Sequence, residues 1–160
     1  MKLTRILIGI GAALVLIVIN ISILGKEHVR KSGELVFLEL QPRDPRSLMQ
    51  GDYMTLDFPL ARQVQANLGP GVVAHEGEAG VIDITLDEKR VARVAEPGKG
   101  SLRIRYRIRK GAVWLGTNAF FFEEGSEQRF APARFGEFRV DERSGESVLV
   151  GLRDANLAPL

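Results

Sequence analysis

The chain begins with a long apolar segment that predicts a membrane-spanning helix. Residues 6–25 carry no charged side chain, and Asn20 is their only strongly polar one. At about 1.5 Å per residue, a helix of this length covers about 30 Å, the hydrocarbon thickness of a bilayer. A cleavable signal peptide has a shorter apolar core that ends in small residues, whereas Lys26 directly follows the apolar run here. We therefore interpret residues 1–29 as a transmembrane anchor and residues 30–160 as a separate domain.

Beyond residue 33, alternating apolar and polar positions predict strands. The predicted strands cover residues 34–40, 53–58, 81–87, 89–95, 101–109, 112–122, 138–140 and 148–152. Apolar residues at every fourth position predict a short helix that starts at Leu60 and is closed by Gly69-Pro70. Asp44-Pro45 predicts one helical turn that ends at Gly51. The expected fold class is mainly β, or α+β: one N-terminal transmembrane helix followed by a small antiparallel β domain with one or two short helices.

One predicted strand carries a row of positive charge, which we call the arginine stripe. Its members are Arg103, Arg105, Arg107 and Arg109. They alternate with apolar residues, so all four should lie on one face of the strand. The stripe is either an anion-binding surface for lipid headgroups, an acidic partner or an acidic glycan, or simply the solvent-exposed face of a half-buried strand. Asp83 and Asp87 lie on the matching face of a candidate neighbouring strand and could pair with the stripe.

Aromatic residues cluster after this strand. Trp114 and the run at residues 120–122 could form a surface that contacts a membrane or a partner, or they could belong to the core. Three consecutive Phe side chains cannot all face one core, so at least one should pack elsewhere or against a partner.

The charge distribution distinguishes the anchor from the domain and argues against a domain that binds nucleic acid through its net charge. The chain has 22 basic and 20 acidic residues, and all the acidic residues lie at or beyond Glu27. Only Lys2 and Arg5 are charged before Lys26, which leaves 22 − 2 = 20 basic against 20 acidic residues in 26–160. A domain with zero net charge does not grip nucleic acid electrostatically.

Candidate catalytic chemistry is sparse. With no cysteine, the chain has neither disulfides nor a thiol nucleophile, and His28 and His75 are its only imidazoles. No metal-binding or serine-hydrolase motif occurs, and we expect no cofactor. An acidic cluster at Glu123, Glu124 and Glu127 gives only a weak indication of a paired-carboxylate hydrolase, because neighbouring strand residues point to opposite faces.

The segment GDYMTLDF carries the most specific motif in the chain. Gly51, Asp52 and Tyr53 are followed by two other residues, Leu56, one more residue and the aromatic Phe58. This segment resembles the signature of the GDYXXLXY domain family of bacterial membrane-anchored proteins, which usually ends in Tyr. Segments at residues 133–140 and 149–154 resemble further family blocks, so the resemblance covers most of residues 34–154.

The resemblance implies a membrane partner and names no reaction. Family members are often encoded beside, or fused to, multi-spanning membrane proteins of DUF2157 or DUF4401 type. The motif itself is either a structural corner that sets the register of the strand or a docking surface built from Arg46, Asp52 and Tyr53. A glycine at the chain reversal and an aspartate able to cap it suit both interpretations.

A wider similarity links the layout of the chain to type I signal peptidases. In both, a Gly-Asp box precedes a Lys-Arg pair, here Lys89 and Arg90, and a glycine-containing loop. Those enzymes place a serine ahead of the box, and Arg43 occupies the position at that spacing here. The similarity would therefore be to a degenerate, signal-peptidase-like domain.

Three functions follow as hypotheses. The first is an accessory or interaction protein of the bacterial cell envelope, anchored by one helix in the inner membrane, with its C-terminal domain in the periplasm. The second is a cell-envelope hydrolase that uses Lys89 or a carboxylate as its base. The third is a sensor domain that binds an anionic ligand through the arginine stripe. The five-residue tail before the apolar segment favours a cytoplasmic N-terminus, although the flanking positive charges are almost balanced.

Overall fold

The computed structural model describes residues 2–41, 53–68 and 76–160. Its helices are α1 (Lys2–Ser32), α2 (Pro59–Asn67) and α3 (Glu127–Phe130). Its strands are β1 (Glu34–Glu39), β2 (Tyr53–Thr55), β3 (Ala79–Leu86), β4 (Ala92–Val94), β5 (Leu102–Arg109), β6 (Ala112–Trp114), β7 (Ala119–Phe121), β8 (Phe135–Val140) and β9 (Ser147–Arg153). A long apolar helix followed by a mainly β domain with short helices confirms the predicted fold class.

The described strands form three antiparallel sheets. Their orders are β1-β8-β9, β2-β7 and β4-β3-β5-β6. Backbone contacts connect these sheets: the Phe37 amide donates to the Arg90 carbonyl oxygen at 2.9 Å, and the Gln41 amide, beyond β1, donates to the Asp57 carbonyl oxygen, beyond β2, at 2.9 Å. The short sheets therefore enclose one core instead of lying as separate layers.

The core combines apolar side chains from all three sheets and α2. Its most deeply buried side chains are Phe138, Leu38, Ile84, Ile104, Ile108, Leu115, Leu152, Val36 and Val140. The ring of Phe138 meets the ring of Phe58 edge-on, with their centroids 5.5 Å apart. Helix α2 closes this core against β1, β4 and β6 by burying Leu60, Ala61 and Val64.

The alternation predicted for residues 53–58 is correct, but the strand is shorter. Met54, Leu56 and Phe58 are buried, at 3%, 4% and 3% exposure, while Tyr53 is exposed. Strand β2 ends at Thr55, because Phe58 is already the residue before α2 and Pro59 starts that helix. The helical turn predicted at residues 45–50 lies outside the described residues.

The single strand predicted over residues 112–122 is wrong. Two strands occupy this range, β6 beside β5 and β7 beside β2. Gly116 separates them with a φ of +70°, a conformation that extended strands do not contain. Thr117 then closes the bend, since its hydroxyl oxygen accepts a hydrogen bond from the Ala119 amide at 3.2 Å.

Two further elements differ from the prediction. Strand β4 covers only Ala92–Val94, because the Asp87 carboxylate accepts hydrogen bonds from the Lys89 and Val91 amides and holds that segment in a turn. Helix α3 lies between the strands predicted at residues 112–122 and 138–140, where the sequence predicted no regular element. Its Phe130 is buried against Phe120 and Phe122, so tertiary packing holds this single turn.

Candidate functional site

Helix α1 passes without interruption from its apolar span into contact with the domain. Residues 6–25 are exposed along their whole length, whereas Val29, one turn beyond, is 5% exposed. The Gly33 amide donates to the Val29 carbonyl oxygen at 2.8 Å, and Arg139 on β8 donates to the Gly33 carbonyl oxygen at 3.3 Å. A side chain at Gly33 would collide with the backbone of Val140, so only glycine allows this close approach.

The turn between β8 and β9 contacts both α1 and β5, the strand that carries the arginine stripe. On one side, Glu146 forms an ion pair with Lys26 of α1. On the other side, the Arg105 amide of β5 donates to the Gly145 carbonyl oxygen at 2.8 Å. The same turn therefore fixes the helix end and β5 relative to each other.

The Asp141 carboxylate organises this turn. It accepts hydrogen bonds from the Ser144 amide and from the Ser144 hydroxyl, both at 2.7 Å. These bonds hold the pKa of Asp141 below its ordinary value. Because the native pKa is lowered, the contribution of this carboxylate to stability is complete above its ordinary pKa and is lost as the pH falls through the lowered value.

A cavity of about 460 Å³ opens between the end of α1 and β5, and we call it the basic groove. Its lining comprises Ser22, Gly25, Lys26, Arg105, Arg107, Arg109, Trp114, Gly116, Glu146 and Ser147. Three members of the arginine stripe thus share one cavity with the first charged residue after the apolar span. Arg103, on the same face of the same strand, is not part of the lining.

The arginine stripe is unpaired within the part of the chain that the structure describes. All four arginines are exposed, and none of them forms an ion pair with a described residue. Asp83 does lie opposite Arg103 in the sheet, but its carboxylate accepts a hydrogen bond from the Gly98 amide at 2.7 Å. Asp87 caps its own turn. The predicted pairing of these two aspartates with the stripe is therefore wrong, since both carboxylates hold loops instead.

Two uncharged groups complete the basic groove. The guanidinium of Arg109 lies over the Trp114 ring, 5.3 Å from its centroid, a cation–π arrangement. The Ser147 side chain is buried beneath the groove, and its hydroxyl has no hydrogen-bond partner among the described residues. Buried hydroxyls normally have a hydrogen-bond partner, so the Ser147 hydroxyl can still bond to a polar group in the groove.

The GDYMTLDF motif lies in a different part of the domain. Leu56 and Phe58 are core residues, and Tyr53 lies on the outer face, where its ring centroid is 5.6 Å from that of Phe121. Phe121 is the most exposed aromatic side chain among the described residues, at 74%. Arg46, Gly51 and Asp52 lie outside the described residues. The structure therefore supports a structural role for the second half of the motif and an exposed position for its tyrosine.

The two other family-like segments meet in one ion pair. Glu137 on β8, only 9% exposed, accepts hydrogen bonds from Arg153 on β9 at 2.6 Å and 2.5 Å. Arg153 also donates to the Leu157 carbonyl oxygen at 3.3 Å, which ties the C-terminal turn to the sheet. This pair is a structural clamp, because both partners are engaged inside the fold and contribute nothing to the basic groove.

The residues suggested for hydrolysis are dispersed. Lys89 is exposed in the turn between β3 and β4, whereas a lysine that acts as a base is normally buried or placed near another cation. Its neighbour Arg90 is bound to Glu34 and to the Leu35 carbonyl oxygen. In the described ranges, no three His, Asp or Glu side chains lie close enough together to hold a metal ion.

The sequence pattern identified the arginines but not the groove. Lys26, Glu146 and Ser147 were not candidates, because each has an ordinary position in a helix or a hairpin. Lys26 and Glu146 are 120 positions apart, so no local pattern connects them. The signal in the sequence was the row of arginines itself, which we also interpret from the sequence as a candidate anion-binding surface.

The fold and the basic groove define a class of protein: a small antiparallel β domain carried directly on one apolar helix that is long enough to cross a membrane. The chain belongs to the family described as GDYXXLXY protein, whose sequence model matches residues 15–152. Neither the curated proteins nor the solved structures contain a match to this chain.

Proposed function

We propose that this chain is a membrane-anchored accessory protein of the bacterial cell envelope whose domain binds a multi-spanning membrane protein, of the DUF2157 or DUF4401 type that the family resemblance implies. The observation that carries the proposal is the continuity of α1 from its apolar span to its contact with β8. A domain without a flexible linker stays at a fixed height above the bilayer. A partner in the same bilayer then meets it in one orientation, which lowers the entropic cost of binding.

The bare surface of α1 supports a partner within the membrane. Its apolar side chains are exposed to similar extents on every side, from Ile19 at 48% to Leu24 at 67%. No described residue of the domain folds back over this surface. Lipid covers one part of such a helix, and the spans of a partner are suited to cover the rest.

The exposed aromatic pair supports a contact outside the membrane. Tyr53 and Phe121 lie side by side on the two-stranded sheet β2-β7, and Phe121 alternates with Phe120 and Phe122, which are half-buried against the core. Aromatic side chains are enriched where proteins bind one another, and a tyrosine next to a phenylalanine gives a large rigid contact area. This pair is the docking point that we assign to the partner.

Photo-crosslinking in living cells tests this assignment. A benzoylphenylalanine at position 121 should form an adduct that mass spectrometry identifies as a multi-spanning membrane protein. The same probe at Val150, which is 37% exposed on a different sheet, is the matched control and should form no such adduct. Adducts from position 121 with lipids or soluble proteins alone would contradict the proposal.

We further propose that the N-terminus lies in the cytoplasm and the domain in the periplasm. Lys2 and Arg5 lie on the N-terminal side of the apolar span, and long domains cross the membrane largely independently of their charge. The bacterial inner membrane is the compartment that fits both features. With the domain on the outer side, the basic groove faces the headgroups of the periplasmic leaflet.

The absence of cysteine makes this orientation directly measurable. We expect Val81→Cys, on an exposed domain position, to react with a membrane-impermeant maleimide in intact spheroplasts. Thr4→Cys, at the other end of the exposed helix, should react only after the membrane is broken. The reverse labelling pattern would place the domain in the cytoplasm and contradict the proposal.

Among the alternative functions, the binding of an anionic ligand has a specific observation in its favour, which is the basic groove. A cell-envelope hydrolase has none, because the exposed Lys89 lacks the environment of a base. A degenerate signal-peptidase-like domain stays a hypothesis that rests on motif order alone.

A further inference from the structure

The basic groove lies where the apolar span ends. Ser22 and Gly25 come from the last turn of the uncharged segment, and Lys26 is the first charged side chain after it. In a helix that crosses a bilayer, this is the depth at which hydrocarbon gives way to lipid headgroups. Trp114 fits this depth as well, because tryptophan is enriched at membrane interfaces.

The charge within the groove favours the binding of an anion. Lys26 and Glu146 neutralise each other, so Arg105, Arg107 and Arg109 are its uncompensated charges among the described residues. Alternate residues on a strand are about 6.6 Å apart, and three guanidinium groups at this spacing repel one another. An anion with several oxygen atoms removes this repulsion and accepts hydrogen bonds from more than one arginine.

Phosphate is the anion that best matches these groups. Guanidinium binds phosphate oxygens through paired N–H donors, and three arginines supply enough donors for one phosphate group and its ester oxygens. The cavity of about 460 Å³ is large enough for a headgroup, and residues of α1 form part of its lining. A groove that has α1 as one wall also leaves room for acyl chains to lie along that helix.

We infer that the basic groove binds the phosphate group of an anionic phospholipid, with Arg105, Arg107 and Arg109 as its ligands and Trp114 beside its glycerol end. The inference rests on the proposed membrane anchoring of α1. It adds a lipid-binding site to a protein whose proposed function concerns a protein partner. A bound headgroup would complete the contact between α1 and β5 and would fix the domain against the bilayer surface.

The single tryptophan of the chain provides a probe inside the groove. The full-length protein is placed in nanodiscs of phosphatidylcholine that contain a small fraction of brominated lipid, and quenching of Trp114 fluorescence is measured. We expect brominated phosphatidylglycerol to quench more strongly than an equal fraction of brominated phosphatidylcholine. Equal quenching by the two lipids in the wild-type protein would overturn the inference, whatever the variants show.

Two variants test which arginines bind. Each basic residue near an anionic surface strengthens binding by about fivefold. The double variant Arg105→Gln/Arg107→Gln should therefore lower the preference for phosphatidylglycerol by about 25-fold. Arg103→Gln is the matched control, since Arg103 lies on the same face of β5 but outside the groove. A loss of about fivefold in the Arg103 variant, which is the effect of one basic residue at a nonspecific surface, would show attraction to the whole surface and would overturn the site.

A competition experiment separates a lipid from a soluble source of phosphate. Inorganic phosphate at millimolar concentration should leave the quenching by brominated phosphatidylglycerol unchanged at constant ionic strength. Displacement of the lipid by inorganic phosphate would assign the groove to a free phosphate compound and overturn the lipid assignment. The nanodiscs contain no protein partner, so the outcome of this experiment is independent of the crosslinking result. If α1 did not span the membrane, the protein would fail to enter the nanodiscs.

Discussion

Replacement of Val15 and Leu16 by arginine is expected to abolish membrane integration. Both residues lie near the middle of the apolar span and are more than half exposed, so they support no contact within the domain. An arginine at the centre of a spanning helix costs about 3 kcal/mol on insertion scales, and two in adjacent positions cost about 6 kcal/mol. The wild-type chain should resist extraction with alkaline carbonate, and the double variant should move to the soluble fraction.

The matched control replaces the same two residues by phenylalanine. This change adds bulk but keeps the segment apolar, and the protein should remain in the membrane pellet. Two outcomes would contradict the spanning helix: carbonate resistance of the arginine variant, or a wild-type chain whose intact mass lacks the N-terminal segment. The second outcome would identify residues 6–25 as a cleaved signal sequence.

Phe138→Ala is expected to have the largest effect on the stability of the domain. The Phe138 side chain is 0% exposed, and its ring packs on Phe58 of the GDYMTLDF motif and beneath Gly116. Removal of a buried phenylalanine ring loses its transfer free energy and leaves a cavity, which together cost about 3–5 kcal/mol. Urea unfolding in detergent, followed by the fluorescence of Trp114, measures this change in the free energy of unfolding.

Phe121→Ala is the matched control, because the same side chain is 74% exposed there. Its loss removes one surface contact with Tyr53 and should lower the free energy of unfolding by about 1 kcal/mol or less. A similar destabilisation by both variants would mean that Phe121 is covered and would remove the exposed docking point. A negligible effect of Phe138→Ala would show that Phe138, with its ring contact to Phe58, does not stabilise the core.

The structure gives the two halves of the motif different roles. Phe58 is buried against Phe138, so an aromatic ring is needed there to fill the core, and phenylalanine supplies it. Tyr53 faces outward on a strand whose partner carries Phe121. This arrangement agrees with a structural role for Phe58 and leaves Tyr53 exposed, as the docking interpretation requires.

The connection between α1 and the domain has a mechanical consequence. Lys26 and Gly33 contact the β8–β9 hairpin, and Val29 between them is buried, so several contacts hold the helix end on the hairpin. The hairpin turn in turn holds β5 through Gly145. A change in helix tilt caused by a membrane partner would therefore carry the hairpin and β5 with it and reorient the basic groove relative to the bilayer, which links the two proposals physically.

Local patterns predicted the features that depend on neighbouring residues. The spanning helix follows from the uncharged run at residues 6–25, because its length alone matches a bilayer. The faces of β2 and β5 follow from alternation, since adjacent strand residues point in opposite directions. The membership of the GDYXXLXY family also follows from a short run of residues.

Only the tertiary structure decided which of these elements meet. The break at Gly116 depends on a positive φ that composition does not reveal, and α3 is one turn long and held by contact with Phe120 and Phe122. The basic groove combines a helix residue with strand residues about 80 positions later, as the span from Lys26 to Arg105 and Arg109 shows. Long-range pairing is set by the packing of the whole core, whereas periodicity reports only the surroundings of each segment. For that reason the sequence predicted a β domain with an apolar anchor helix and a row of arginines. The fold alone decided that this row lies beside the C-terminal end of the apolar span.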